Sequence, residues 1–288
     1  MKSGLNHVPL GRHLVSTLGI CASAGLWVVA PVQAGEFQLG NATAFVNGRI
    51  TYGTAIRADN EDPALIARNN GIAIGINATA NGGANSDDGN LNYRRGDTVS
   101  RVLKGVATFG VKQGAAGGLV RVKAWRDFAL LDDNLHWGNN PNRYAANQPL
   151  SDQGFTSLTK FSGIAVSDAY VYNTFQVVDK SLYLRLGNQT IPWGLPTRIA
   201  GGLNALQPRD LAAAARPGAI AEETVVAVPA LYGRLEVSDK IGVEAYYQFK
   251  FRRTELPGCG TFFAGNDYIS DGCNRVISGT PAGSDRFR

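Results

Sequence analysis

The sequence predicts an all-β protein, an antiparallel β-barrel of the outer-membrane type with about seven long strands, long polar loops and one short helix near residues 208–216. Three observations lead to this prediction. The composition, with 35 glycines and 10 tyrosines in 288 residues, favours strands joined by turns. Several segments alternate apolar and polar side chains over ten or more residues, whereas an ordinary strand has about five or six. Short and long connections follow one another in turn, which is typical of membrane barrels.

The first 34 residues have the features of a secretory signal peptide. Lys2 and Arg12 give a basic start, residues 14–30 are almost uncharged and apolar, and Val32-Gln33-Ala34 offers small residues at the cleavage-site positions. We therefore expect residues 1–34 to be removed on export and residues 35–288 to form the N-terminal part of a transmembrane β-barrel domain.

Charge and hydropathy exclude two classes of protein. Of the 28 basic residues, 26 remain without Lys2 and Arg12, beside 23 acidic ones, and they are scattered singly, so a nucleic-acid partner is not expected. After residue 34 no stretch of sequence approaches the roughly 18 apolar residues of a membrane-spanning helix. The mature chain is therefore either soluble or a β-barrel.

The predicted strands after the first come in pairs. A short turn joins each pair, at residues 113–117, 178–180 and 238–240, and long polar segments such as 59–97 and 131–162 lie between the pairs. The seven strands span residues 44–57, 98–112, 118–130, 163–177, 182–191, 225–237 and 241–252. Because bacterial barrels have an even number of strands and end on a strand, we expect the chain to be the N-terminal portion of a longer, closed barrel.

Charged side chains fall on one face of these strands. In a barrel that face lines the aqueous lumen, where such residues tune selectivity. The candidate lumen-lining residues are Arg49, Lys104, Arg121, Lys123, Arg185, Arg234, Glu236, Glu244 and Lys250. The same pattern also fits the wet face of a soluble sheet, so the alternative is a periplasmic or surface β-sandwich that binds a ligand without transporting it.

Aromatic residues near strand ends are candidates for the membrane interface. Trp193 follows a strand at a Pro-Trp-Gly break, and Tyr247 and Phe249 lie on the apolar face of the last strand, so all three are predicted interface anchors. Arg101 and Trp125 each lie on the face that their type does not fit. We expect both to lie near a rim of the barrel.

The long segment after residue 191 contains the predicted helix. Residues 210–216 are Ala-rich and end at Pro217-Gly218, which is a helix stop signal. A helix of two turns needs external support, so we expect residues 201–217 to fold inward as a constriction or plug. The candidate constriction residues are Asn204, Arg209, Asp210 and Arg216.

Few residues suggest catalysis or metal binding. Beyond residue 34 His136 is the only imidazole, and it has no serine elbow or paired ligand nearby, so no enzyme activity and no cofactor are expected. Oxygen-rich loops at Asp132-Asp133 and at residues 87–90 have a composition suited to calcium but lack EF-hand spacing, so solvated loops are the favoured interpretation. Cys259 and Cys273 in an exported chain predict one disulfide, worth about 3 kcal/mol.

Short motifs through nearly the whole mature chain resemble the proteobacterial domain-of-unknown-function 1302 family. They are Asp62-Pro63-Ala64-Leu65, Arg95-Gly96-Asp97, Leu184-Arg185-Leu186-Gly187, Trp193-Gly194, Gly202-Leu203-Asn204, Pro217-Gly218, Val228-Pro229 and Tyr246-Tyr247-Gln248-Phe249. The resemblance implies a Gram-negative outer-membrane barrel that moves small hydrophobic compounds or lipids, in contact with outer-membrane lipid and together with an inner-membrane exporter. Leu195 stands where the family often has Glu after Trp-Gly, so no role is expected for that position.

Overall fold

The described residues form one antiparallel β-sheet. A computed structural model describes residues 27–80, 83–191, 207–274 and 276. Eight strands lie side by side in sequence order, and each pairs antiparallel with the next. The predicted all-β class is therefore confirmed, with an open sheet in this part of the chain. None of the helices among these residues is both long enough and apolar enough to cross a membrane.

The described residues contain eight strands, one more than predicted. The additional strand is β1, which the prediction missed because residues 27–34 have the apolar composition of a signal peptide. The strands are β1 Trp27–Leu39, β2 Ala42–Ile56, β3 Thr98–Gln113, β4 Ala116–Asp127, β5 Ser162–Val177, β6 Lys180–Gln189, β7 Val228–Ser238 and β8 Ile241–Gln248. The two-residue turn between β5 and β6 has φ of 49° at Val178 and 62° at Asp179, which is the handedness that tight hairpins require.

The apolar face of the sheet is exposed. Because side chains alternate along a strand, the register puts most of the large apolar residues of β2–β8 on one face. Phe109 is 48% exposed, Val171 60% and Val243 53%. A water-soluble sheet would bury this face, whereas the wall of a membrane barrel presents it to lipid.

The long connections pack together at one end of the sheet into what we call the loop layer (residues 57–80, 83–97, 128–161 and 249–274). Its helices are the 3₁₀ turns Pro63–Leu65 and Asn140–Asn142 and the short helices α1 Arg68–Ala73, α2 Asp88–Asn92 and α3 Phe128–Asp132. Two buried clusters hold it, one around Tyr93 and Phe161 and one around Trp137. The predicted disulfide joins Cys259 and Cys273, whose Cα atoms are 5.4 Å apart.

Strand β4 ends earlier than predicted, at Asp127 rather than at residue 130. The Asp127 carboxylate accepts hydrogen bonds from the backbone N–H groups of Ala129 at 3.1 Å and Leu130 at 3.3 Å. An aspartate in this position caps a helix, so the chain turns into α3 instead of continuing the strand.

A further segment, which we call the inner segment (residues 207–227), lies against the polar face of the sheet. It contains α4 Leu211–Ala215, the helix predicted near residues 208–216, and the 3₁₀ turn Ala221–Glu223. The contact with β2 is close, because a Cβ atom added to Gly53 would lie only 2.7 Å from the Cβ atom of Pro217. Any larger residue at position 53 would displace the inner segment or bend the strand.

Candidate functional site

The candidate site is the polar face of the sheet together with the inner segment. Register places the predicted lumen-lining residues of the strands on this one face: Lys104 lies opposite Thr51, Arg121 opposite Thr108, and Arg234 opposite Glu244. The members of this set that share the face are Arg49, Lys104, Arg121, Lys123, Arg185, Arg234, Glu236 and Glu244.

Lys250 does not belong to this set, and the prediction of a strand to residue 252 was wrong. Strand β8 ends at Gln248, and Lys250 lies exposed beyond it. The last backbone hydrogen bond between this end of the chain segment and β7 runs from Phe249 N to the Pro229 carbonyl, at 2.8 Å. Proline has no N–H to return the bond, so the ladder stops there.

On strands β2–β4, which we call the covered half, the inner segment pairs with charged residues of the sheet. Lys104 Nζ lies 2.5 Å from Glu223 Oε2, and Lys123 Nζ lies 2.6 Å from Asp210 Oδ2. Lys123 also donates to the Glu223 carbonyl at 2.7 Å. All four side chains are at most 7% exposed. Ion pairs this deep require that both partners stay in place, because a single buried charge is costly.

Asp210 is also the N-cap of α4 in the inner segment. Its other oxygen, Oδ1, accepts a hydrogen bond from Ala213 N at 2.8 Å and so caps α4. The backbone of Asp210 also pairs with Glu255 in the loop layer. Asp210 therefore links the sheet, α4 and the loop layer.

Arg216 and Trp125 form the other main contact of the covered half. The guanidinium carbon of Arg216 lies 4.2 Å from the centre of the Trp125 ring, and its Nη2 donates to the Leu158 carbonyl at 3.0 Å. Burial lowers the pKa of Arg216 to about 10, and the negative charges of Asp210, Asp127 and Glu223 oppose this shift. Arg216 therefore stays charged at neutral pH.

A position of Trp125 near a rim stays a prediction, and the residue lies two positions before the end of β4 at Asp127. Trp125 is 5% exposed on the polar face, and its indole nitrogen donates to the Lys160 carbonyl at 2.8 Å. An aromatic residue among charges on a polar face is the sequence signal for a stacked cation, and we missed it. Arg101 is partly exposed and pairs with Asp133 at 2.8 Å.

The other predicted constriction and interface residues have different outcomes. Arg209 is exposed, and its backbone pairs with that of Val225 within the inner segment. Asn204 and Trp193 lie outside the described residues. Tyr247 and Phe249 are 69% and 55% exposed, with ring centres 5.6 Å apart. Their role as interface anchors stays a prediction.

On strands β5–β8, which we call the open half, four tyrosines and one arginine form a stripe across neighbouring strands. The ring centres of Tyr172 and Tyr183 are 5.8 Å apart, and those of Tyr183 and Tyr232 are 6.2 Å apart. The Arg185 guanidinium lies 4.8 Å from the Tyr170 ring centre and 5.1 Å from that of Tyr232. We call these five residues the tyrosine–arginine stripe.

A glycine in β6 makes room for the stripe. Gly187 lies opposite Tyr170 and has φ of 139°. A Cβ atom added there would lie 2.3 Å from the Ala169 carbonyl oxygen and 2.9 Å from the Tyr170 Cβ atom. The backbones approach closely at this point because residue 187 has no side chain.

The loop layer contains a buried carboxylate cluster. One oxygen from each of Asp87, Asp88 and Asp267 lies within 4.8 Å of the others. The expectation of a solvated loop at residues 87–90 was wrong, since Asp87 and Asp88 are fully buried and Asp88 accepts a hydrogen bond from the Trp137 indole at 2.8 Å. An all-oxygen donor set suits a hard cation such as calcium. Asp267 was missed because it is distant in sequence.

A family model described as "Protein of unknown function (DUF1302)" matches residues 15–284 of the chain. The chain belongs to the DUF1302 family. The resemblance seen in the short motifs is thereby confirmed. Comparison with curated proteins and with solved structures gives no match.

The remaining candidate of this DUF1302 chain, His136, lies in the loop layer. Its Nε2 atom is 3.2 Å from Asp97 Oδ2, and both side chains are about one-third exposed. This contact ties the histidine to the segment that leads into β3. The prediction that the chain is not an enzyme stays a prediction.

Proposed function

We propose that this DUF1302 chain forms part of the wall of an outer-membrane β-barrel through which small or hydrophobic compounds pass or are delivered to the outer membrane. The observation that carries the proposal is the division between the two faces of the sheet. One face carries exposed side chains such as Phe109, Val171 and Val243. The other carries charged residues from seven successive strands. This is the arrangement that a wall between lipid and water requires.

The inner segment is the constriction of the proposed path. It occupies the polar face of β2–β4 and is held there by the pairs Lys104–Glu223 and Lys123–Asp210. The family resemblance adds outer-membrane lipid as a partner and an inner-membrane exporter as the system that supplies the compound.

The alternative is a periplasmic or surface β-sandwich that binds a ligand. A sandwich needs a second sheet over the apolar face. The strands of the described residues all belong to one sheet, so within this part of the chain the apolar side has no such cover.

Membrane fractionation tests the proposal first. We expect the full-length protein to stay with the outer membrane after osmotic shock and to leave it only with detergent. Release by osmotic shock alone would rule out the barrel and favour the sandwich.

Conductance in planar bilayers tests the path. We expect full-length protein to conduct ions and a deletion of residues 201–217 to conduct more, because the deletion removes α4 and the Asp210 anchor of the constriction. Since the deletion can impair folding, Lys104→Gln with Lys123→Gln serves as a second variant that loosens the inner segment, and Arg49→Gln on the exposed part of the same face is the matched control. Equal conductance in all variants would contradict the constriction.

A further inference from the structure

The open half of the polar face contains a groove that the passage of ions does not require. Its volume is about 420 Å³, which lies within the ~300–1,000 Å³ of small-molecule sites. Side chains from β5, β6, β7 and β8 line it, among them Tyr183, Arg185, Tyr232 and Arg234. The groove lies towards the end of the sheet where short turns join the strands. Tyr183, for example, is three residues after Lys180, where β6 begins after its short turn.

The aromatic part of the groove is held in a fixed arrangement. Tyr183 packs between Tyr172 and Tyr232, with ring centres 5.8 and 6.2 Å away. Arg185 lies over the Tyr232 ring, donates to Gln189 Oε1 and donates to the Thr190 carbonyl at 2.9 Å. Because these contacts fix the rings before any solute arrives, binding does not have to pay for ordering them.

The charged part of the groove is accessible to water. Arg234 Nη2 lies 3.5 Å from Glu236 Oε1, and Arg234 Nε lies 4.0 Å from Glu244 Oε1. The side chains of these three residues are 51%, 56% and 34% exposed. They are therefore able to exchange their mutual contacts for hydrogen bonds to a solute.

Charge balance narrows the class of solute. The groove has two arginines and two glutamates, so its formal charge is zero. A charged solute would have to break one of the existing pairs. A hydrophobic solute would remove water from Arg234 and both glutamates without giving hydrogen bonds in return, which is costly. The hydroxyl groups of Thr174 and Ser181 extend the polar lining.

We propose that this groove is a binding site for a neutral, polyhydroxylated ring, the chemistry of a saccharide unit. Tyr183 and Tyr232 offer aromatic surfaces to the C–H faces of such a ring. The planar groups of Arg234, Glu236 and Glu244 offer paired donors and acceptors to its adjacent hydroxyls. This inference deepens the proposed function, on which it rests, because the groove faces the solute path only if the polar face lines a lumen.

Calorimetry on full-length protein in detergent micelles tests the site with three probes: maltose, glucose 6-phosphate and decanoate. We expect maltose to bind more tightly than the two charged probes. Tyr183→Ala and Arg234→Ala should each weaken maltose binding by tenfold or more. Arg68→Ala, an exposed cation on α1 in the loop layer, is the control and should leave the affinity unchanged.

Three results would overturn the proposal: no binding of maltose, tighter binding of decanoate or glucose 6-phosphate, or maltose binding that Tyr183→Ala and Arg234→Ala leave intact. Because calorimetry in micelles measures binding and not conductance, its outcome is distinguishable from that of the test of the proposed function. Loss of ion conductance in bilayers with intact maltose binding would reject the path and keep the site. Conductance without maltose binding would do the reverse.

Discussion

On the covered half of the polar face, Lys104 and Lys123 are each 4% exposed, whereas on the open half the side chains of Arg234 and Glu236 are 51% and 56% exposed. Lys104 and Lys123 of the covered half pair with the inner segment, which is distant in sequence. The open half pairs its charges within the sheet, between neighbouring strands. Charged residues at alternating positions therefore hold a segment in place in one half and remain exposed in the other.

The largest loss of stability is expected when an ion pair of the covered half is broken. Lys123→Ala leaves Asp210 buried without its cation, so we expect the free energy of unfolding to fall by about 3–5 kcal/mol. Urea unfolding of the refolded protein in lipid vesicles, followed by tryptophan fluorescence, measures this. The double variant Lys123→Met with Asp210→Leu removes both charges and should recover much of the loss. A change below about 1 kcal/mol in Lys123→Ala would mean that the pair does not hold the inner segment.

Removal of the disulfide is expected to cause the next largest loss of stability. Cys259→Ala with Cys273→Ala opens a loop with a sequence separation of 14 and should lower the free energy of unfolding by about 3 kcal/mol. The loop layer also pairs with the inner segment through Glu255, so the covered half should lose protection from hydrogen exchange more than the open half. Equal loss in both halves would contradict this link.

A smaller loss of stability is expected when Arg216, which stacks on Trp125, is replaced. Arg216→Lys keeps the charge but loses the planar stack on Trp125, and we expect a loss of roughly 1–2 kcal/mol in the free energy of unfolding. The emission of Trp125 should also change, and Trp137, buried in the loop layer, offers the comparison through Trp137→Phe. Unchanged unfolding would show that charge alone holds Arg216.

Acid is expected to loosen the contact between the loop layer and the inner segment. Burial by itself would raise the pKa of Asp271, but hydrogen bonds from Thr159, Thr156 and Arg253 outweigh it and lower the pKa below the ordinary value of 3.8. Because the folded-state pKa is the lower one, this stabilisation is complete above about pH 4 and is lost as the pH falls through the folded-state value. Arg253 also binds Glu255, at 3.2 Å, so the loss should reach the inner segment.

A pH series of unfolding measurements checks this. Asp271→Asn should reduce the acid sensitivity and lower the stability near neutral pH. An acid profile identical to that of the unmodified protein would contradict the role of Asp271.

The smallest expected effect lies in the open half. Arg234→Ala removes a half-exposed cation, and we expect the free energy of unfolding to change by no more than about 0.5 kcal/mol. The same urea measurement as for Lys123→Ala makes the two halves directly comparable. A loss as large as that in the covered half would remove the distinction between structural and available charges.

Much of the fold was predictable from local patterns. The alternation in the segments of β3 and β8 predicted strands because side chains repeat with a period of two along an extended chain. The Ala-rich stretch that ends at Pro217-Gly218 predicted α4 because alanine favours a helix and this pair stops one. Strand ends were less predictable, since the cap at Asp127 and the missing N–H of Pro229 decided them.

The partners of the charged residues were not predictable. Lys123 meets Asp210 across 87 positions of sequence, and Asp88 meets Asp267 across 179. No local spacing records such contacts, because they depend on how the long connections fold over the sheet. For the same reason the sequence did not reveal that Trp125 lies under Arg216.

The sequence by itself determined that the chain is built of two-faced antiparallel strands, which side chains share a face, and that the chain resembles the DUF1302 family. These properties follow from period, composition and short motifs, all of which are local. Only the tertiary structure decided which half of the polar face is covered, which carboxylates are buried together, and where four tyrosines and one arginine form a stripe. Those outcomes depend on the register between strands and on the path of the long connections.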